Sequence, residues 1–441
     1  MAQPGRLTFP DGFLWGTSTS AHQVEGGNEN NDWADWEGRP GAIGDGSRSG
    51  AACGWWEGRA EEDLAAAAAA GQNAHRLSLE WSRLEPEPGR WDDTAFARYA
   101  RLLDQMRRLG VRAMVTLQHV TLPRWLARRG SWTSWDAVDL FARYAGECAR
   151  RLGDRVPLWV TVNEPAAVAG AGYALTYWPP GLGSSGMARR ALAVMLEAHA
   201  AAYRTLKRVA PGAQVGIALS APRLEPARPS LPDRAVAWAQ DWAFLGASIR
   251  SLRTGILPLP LAGRRRRVPG LRGSMDFLGV NYYGRYAVRF DVRSPLRLFG
   301  KHVQEPTIRT GQCDWGEISP AGLTRQLVRF SRLGVPLYVT ENGIRDAEDA
   351  LRASFLLDHV AAVHEAVQLG ADVRGYFHWS LVDNFEWAEG WSPRFGLHAL
   401  DRETQKRSAR PSAELYAGIC RANSLQARTS SAQVQKSRTM R

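Results

Sequence analysis

Between residues 13 and 381 the chain alternates short apolar runs with longer segments of helical period. The runs are FLWGTSTS (13–20), NAHRLSLE (73–80), RAMVTLQH (112–119), PLWVTVNE (157–164), QVGIALS (214–220), DFLGVNYY (276–283), PLYVTEN (336–342) and VRGYFHWSL (373–381). Each has the length of one strand, and the alternation with helices predicts a parallel sheet. DTAFARYARLLDQMRRLG (93–110) is amphipathic and ends on glycine, as helices often do, and WDAVDLFARYAGECARRLG (135–153) repeats the pattern. EEDLAAAAAAG (61–71) is rich in alanine, the strongest helix former. Eight such units close most naturally into an α/β fold of the (β/α)₈, or TIM-barrel, kind. An open doubly wound sheet is the alternative, but no glycine-rich phosphate loop follows the first run. No Gly/Ser linker or shift of composition interrupts residues 9–420, which predicts a single domain. Residues 1–8 are expected to be an N-terminal extension and 421–441 a basic, disordered tail.

In a barrel of this kind chemistry gathers where the strands end. Gln23 and Glu25 follow the first run, Arg76 lies within the second, and His119 closes the third. Asn163 and Glu164 close the fourth, Asn281 and Tyr283 the sixth, and Glu341 the seventh. Trp379, Glu386 and Trp387 come at and after the eighth, whereas the fifth offers only Ser220, which suggests no role. Either Glu164 or Glu341 alone could simply end a strand and meet solvent. Two carboxylates facing one another are what cleavage of a glycosidic bond needs, one as nucleophile and one as proton donor and then acceptor.

Composition narrows the partners. A 44% hydrophobic and 23% charged chain is that of a soluble globular protein. No stretch reaches the roughly 18 uncharged apolar residues that span a membrane. The segment MAQPGRLTFPDGF has no apolar core flanked by basic residues, so no secretory signal is expected. Cys53, Cys148, Cys313 and Cys420 are scattered, which predicts reduced thiols and a cytoplasmic location. The nine histidines are dispersed without ligand spacing, so neither a metal nor another cofactor is expected. The net charge of +12 hints at nucleic acid, yet nine positive charges lie in residues 421–441 and in the run RRRR (264–267), which reads as a loop. That leaves no specific nucleic-acid partner, and weak adhesion to acidic surfaces as a residual role of the charge. Eighteen tryptophans fit a packed core and fit sugar faces equally well.

Taken together, FPDGFLWGTSTSAHQVEG (9–26), HRLSLEWSR (75–83), TVNEP (161–165), GVNYY (279–283), VTENG (339–343) and WSLVDNFEWAEG (379–390) resemble family 1 of the glycoside hydrolases, the β-glucosidase family. The resemblance runs from residue 9 to about DRETQKRSAR (401–410), nearly the whole chain. It implies a retaining β-glycosidase acting on terminal, non-reducing β-D-glycosyl groups, with Glu341 as nucleophile and Glu164 as acid/base. It further implies that Arg76 and Tyr283 support Glu341, and that Asn163 binds the sugar 2-hydroxyl. Gln23, His119, Glu386 and Trp387 would bind the other hydroxyls, with Trp379 as the floor under the ring. Contact of Glu386 with the hydroxyls at positions four and six would favour a free sugar over a phosphorylated one. Glu25 and Asn281 are expected to support ligands rather than to touch sugar, and Trp33, Trp125 and Trp315 to be core or rim.

One departure stands out. After His119 the family usually carries an aromatic residue, most often Trp, where this chain has Val120 in LQHVTLPRWL (117–126). Valine supplies neither the area nor the N–H of an indole, which predicts looser sugar recognition and lower turnover. A sugar-binding protein on a degenerate barrel is the rival of another class, but that class usually lacks one of the two carboxylates. Net transglycosylation is the other rival, decided by loops that sequence does not resolve.

Overall fold

The computed structural model describes residues 5–259, 261–262, 265–304 and 316–426. Arg264 of the arginine run, Cys313, Trp315 and residues 427–441 of the expected tail lie outside the described residues.

The eight apolar runs become eight strands: β1 (Leu14–Ser18), β2 (Ala74–Ser78), β3 (Arg112–Gln118), β4 (Leu158–Asn163), β5 (Gln214–Ser220), β6 (Phe277–Asn281), β7 (Leu337–Asn342) and β8 (Val373–Trp379). They pair in parallel in the order β1 to β8, and β8 returns to β1 to close the barrel. All residues of β1, β2, β4, β6 and β7 are buried, because the ring of helices covers their outer faces. Leu14, Ala74, Met114, Leu158, Val160, Ala218, Phe277, Tyr338 and Phe377 form an inner cluster that plugs the barrel. The floor of the barrel is therefore solid, and only its upper end is open to chemistry.

The helices follow from local signals. In Asp93–Arg108 the carboxylate of Asp92 accepts the Ala95 N–H, and Phe96, Tyr99, Leu102, Leu103 and Met106 form the buried stripe. Asp136–Leu152 buries Ala137, Phe141, Tyr144, Ala145, Cys148, Ala149 and Leu152 at the same spacing.

Two boundaries differ from expectation. Arg6–Thr8 pairs antiparallel with Ser424–Gln426, and the helix Pro411–Ala422 runs past 420. Residues 6–8 and 421–426 are thus part of the fold, tied by a strand pairing between two segments far apart in sequence. Part of the arginine run is also a strand, since Arg266 and Arg267 pair with Leu257 and Ile256. Arg266 is drawn in by an ion pair to Glu197 and by the face of Trp135 at 4.7 Å.

Candidate active site

The strand register loosens where the chemistry is expected. Pairing is irregular between Val160 and Asn163 on β4, between Val280 and Asn281 on β6, and between Val339 and Asn342 on β7. Such irregularities re-aim side chains at a strand end. On β6 and β7 the shift sets Asn281 opposite Glu341.

Arg76, fully buried inside the barrel, joins three strands. Its Nη1 donates to Glu341 Oε1 at 2.6 Å, its Nη2 to Asn163 Oδ1 at 2.6 Å, and its Nε to Thr116 Oγ1 at 3.1 Å. Tyr283 donates its hydroxyl to the second oxygen of Glu341 at 2.7 Å. Both oxygens of Glu341 are therefore held by donors, one of them cationic.

Glu164 is treated differently. Its backbone is in the left-handed region at φ 49°, directly before Pro165, which opens a short helix. This abrupt end of β4 lifts the side chain to the barrel mouth, where Asn281 Nδ2 donates to its Oε1 at 2.9 Å. Burial, and next the negative charge of Glu341, push the Glu164 carboxyl up to about 8. The Asn281 bond, the Arg76 charge and the Ser220 hydroxyl act in the opposite direction and are outweighed.

The remaining residues form a wall around this pair. Asn163 Nδ2 meets His119 Nε2 at 3.3 Å. Burial, then the charge of Arg76, holds the His119 imidazole well below its ordinary value, so it is neutral and Nε2 accepts the bond. The His119 ring stacks against Trp379 and Trp387, with centroids 5.9 and 6.2 Å apart. Trp379 Nε1 points to Glu386 Oε2 at 3.4 Å, and Gln23 Nε2 reaches the same oxygen at 3.4 Å. Gln23 is held by Ser20, Asn384 and the Phe385 carbonyl. Burial, followed by the charge of Glu389, raises the Glu386 carboxyl well above its usual range.

All ten candidate residues thus lie in one connected cluster: Glu164, Glu341, Arg76, Tyr283, Asn163, Gln23, His119, Trp379, Glu386 and Trp387. Asn281 supports it directly, bonding Glu164, Asn163 and Thr340. Glu25 does not. Its carboxylate is bonded to Arg83, Tyr99 and Asn28, which stabilises the loop after β1 instead. Sequence reasoning named Ser220 without a role, and it hydrogen-bonds Glu164; Thr116 under Arg76 and Thr340 on Asn281 were missed. Trp33, expected as core or rim, is fully buried in the core, and with Trp178 it packs against Trp387, at 4.7 and 6.1 Å.

Val120 is buried and its backbone sits at φ 71°. The Thr121 N–H donates to the His119 carbonyl at 2.9 Å, which closes a three-residue γ-turn around it. A β-branched residue is strained in that conformation. Among the described residues no cluster of His, Cys, Asp and Glu has the geometry to hold a metal ion.

Residues 6–425 match the family described as glycosyl hydrolase family 1. A β-glucosidase A of Thermotoga maritima is 32% identical over 95% of this chain and 99% of its own length. A β-galactosidase of Sulfolobus acidocaldarius is 32% identical over 95% of this chain and 96% of its own. A solved β-glycosidase of Pyrococcus horikoshii superposes with a TM-score of 0.88 at 37% identity, covering 95% of this chain and 96% of that one. The chain belongs to family 1 of the glycosyl hydrolases. Its activity is hydrolysis of O-glycosidic bonds in small-molecule β-glycosides, by the retaining route general to that family.

Proposed function

We propose that this enzyme removes terminal β-D-glucosyl groups by double displacement, with Glu341 as nucleophile and Glu164 as acid/base. One observation carries the assignment. The two carboxyls are in unlike environments: Glu341 has a donor on each oxygen, while Glu164 is pushed up to about 8. Paired carboxyls pushed apart in this way are what separates nucleophile from acid.

In the first step Glu341 attacks the anomeric carbon and Glu164 passes its proton to the departing oxygen. Esterification removes the charge of Glu341, which was the second contribution raising Glu164, so Glu164 now ionises more readily. It then takes a proton from water, and the sugar leaves with its configuration retained. Asn163, held by Arg76 and Asn281, is positioned for the 2-hydroxyl, whose bond strengthens in the transition state. Gln23, His119, Glu386 and Trp387 bind the remaining hydroxyls over the floor made by Trp379. Val120 in place of an aromatic residue supports acceptance of β-galactosides and β-fucosides beside glucosides. The buried thiols of Cys53, Cys148 and Cys420, free of disulfides, fit action in a reducing cytoplasm.

The test is the configuration of the first-formed sugar from an aryl β-glucoside, followed by NMR before mutarotation. The β-anomer is expected, and a covalent sugar adduct trapped with a 2-fluoro glycoside should map to the peptide carrying Glu341. Initial α-anomer, or an adduct elsewhere, overturns the assignment.

A further inference from the structure

The surface of this protein is uneven in a way the active site does not use. Fifteen large apolar side chains are exposed among the described residues, and seven of them fall in two short segments, 231–238 and 290–299. Leu231 is 79% exposed, Trp238 67%, Val292 66% and Leu296 65%, with Phe290, Leu298 and Phe299 beside them. Monomeric soluble proteins rarely gather so much apolar surface without a partner for it.

The two segments form one corner. Arg285–Phe290 pairs antiparallel with Gly300–Val303, and residues 291–299 are the tip of that hairpin. The helix Leu231–Asp241 crosses its base: the Phe290 N–H donates to Asp233 Oδ1 at 3.0 Å, and the Gln240 amide donates to the Arg297 and Gly300 carbonyls at 2.6 and 2.9 Å. Val236 and Ala237 are buried against Val288, so the opposite face, with Leu231, Arg234, Ala235 and Trp238, looks outward. The Trp238 ring lies parallel to that of Trp242, with an interplanar angle of 8°. The hairpin begins two residues after Tyr283, so the corner rises from the catalytic end of the barrel.

Charge selects the partner. The acids of the corner are already paired: Asp233 with Arg228, Asp241 with Arg329, Asp291 with Arg293. Arg234, Arg289, Arg297 and Lys301 are exposed and form no ion pair among the described residues. Among the described residues, the apolar tip and helix face are therefore rimmed by positive charge that no acid pairs. A second copy of the chain would bring arginine against arginine. An anionic bilayer meets both needs, since leucine, phenylalanine and tryptophan enter the headgroup boundary while arginines pair with phosphate.

We propose that this corner is a docking surface for an anionic lipid bilayer, holding the catalytic end of the barrel near the membrane. No helix among the described residues is long and apolar enough to cross a membrane, and the contact lies on the surface only. The proposal does not depend on the assignment of the catalytic glutamates.

Full-length enzyme would be sedimented with vesicles of phosphatidylcholine alone and with 30% phosphatidylglycerol, at low and high salt. Binding at least ten-fold tighter to the anionic vesicles, weakened by salt, is expected. Leu296→Ser with Phe299→Ser, and separately Arg234→Glu with Arg297→Glu, should each weaken binding; loss of one basic contact costs about five-fold. Turnover of a soluble aryl glucoside by the variants should stay unchanged, which shows that they fold. A chain ending at Gln426 separates the contribution of the basic tail. Three outcomes overturn the proposal: no vesicle binding, binding lost only on removing the tail, or a dimer in sedimentation that the patch variants split.

Discussion

The Asn281 carboxamide donates at once to Glu164 Oε1 and to Asn163 Oδ1, at 2.9 and 3.0 Å. Thr340 Oγ1 fixes its orientation by donating to its oxygen at 2.6 Å. From a strand paired with that of Glu341, one side chain thus ties the proposed acid to the residue assigned to the 2-hydroxyl. The consequences are testable.

Glu341→Gln is expected to abolish turnover, by about 10⁴-fold or more, because no nucleophile remains. Glu164→Gln should behave otherwise. Dinitrophenyl glycosides, whose leaving group needs no proton, should still be cleaved rapidly in the first step, and azide should rescue the slow second step. Pre-steady-state bursts and the glycosyl azide product report this. Equal loss in both variants on every substrate would remove the division of roles.

The acid must carry its proton for the first step, so kcat/KM should fall as pH rises through about 8, the value to which Glu164 is pushed. Folded Glu164 takes up its proton more readily than in the unfolded chain, where glutamate titrates near 4.5. Wild-type stability from this group is therefore present at low pH and lost as pH rises from about 4.5 to 8. Glu164→Gln should match wild type in unfolding free energy at pH 4.5 and exceed it at pH 8, by on the order of 2–4 kcal/mol, as denaturant titrations at the two pH values would show.

Arg76→Lys keeps a charge but loses the planar fork that holds Glu341 and Asn163 on separate nitrogens. A fall in kcat of about 100-fold is expected from misplacement alone. Arg76→Leu strands a carboxylate in the barrel and should also destabilise the fold, by about 3–5 kcal/mol. Thermal melts and steady-state kinetics separate the two effects.

Val120 offers the sugar no hydrogen-bond donor. Aryl β-glucoside, β-galactoside and β-fucoside are expected within about ten-fold of one another in kcat/KM. Val120→Trp should spread that range by a further ten-fold, the worth of one well-placed hydrogen bond. A wild type already strict for glucose would contradict this reading.

At Gly343 an added Cβ would lie 1.9 Å from the Trp379 carbonyl oxygen. Gly343→Ala must therefore displace the backbone of Trp379, the proposed floor of the sugar site. A loss of about 2 kcal/mol in stability and a raised KM are expected together. A normal KM in a destabilised variant would mean that the floor is not set by this contact.

The eight strands, their order and the residues at their ends were legible along the chain, because strand length, apolar runs and helix caps are set by near neighbours. Glu164 and Glu341 stood out for the same reason: a carboxylate closing a buried strand is visible within ten residues. Partners were not. That Arg76 joins Glu341, Asn163 and Thr116, that Ser220 faces Glu164, and that Trp33 packs against Trp387 follow only once the barrel closes. Glu25 shows the converse, a candidate by position whose bonds turn out to serve a loop. The pairing of Arg6–Thr8 with Ser424–Gln426 was likewise invisible, since neither segment carries a pattern of its own. Short-range periodicity is written locally, whereas register, burial and the meeting of charges arise between segments hundreds of positions apart, and only the folded chain decides them.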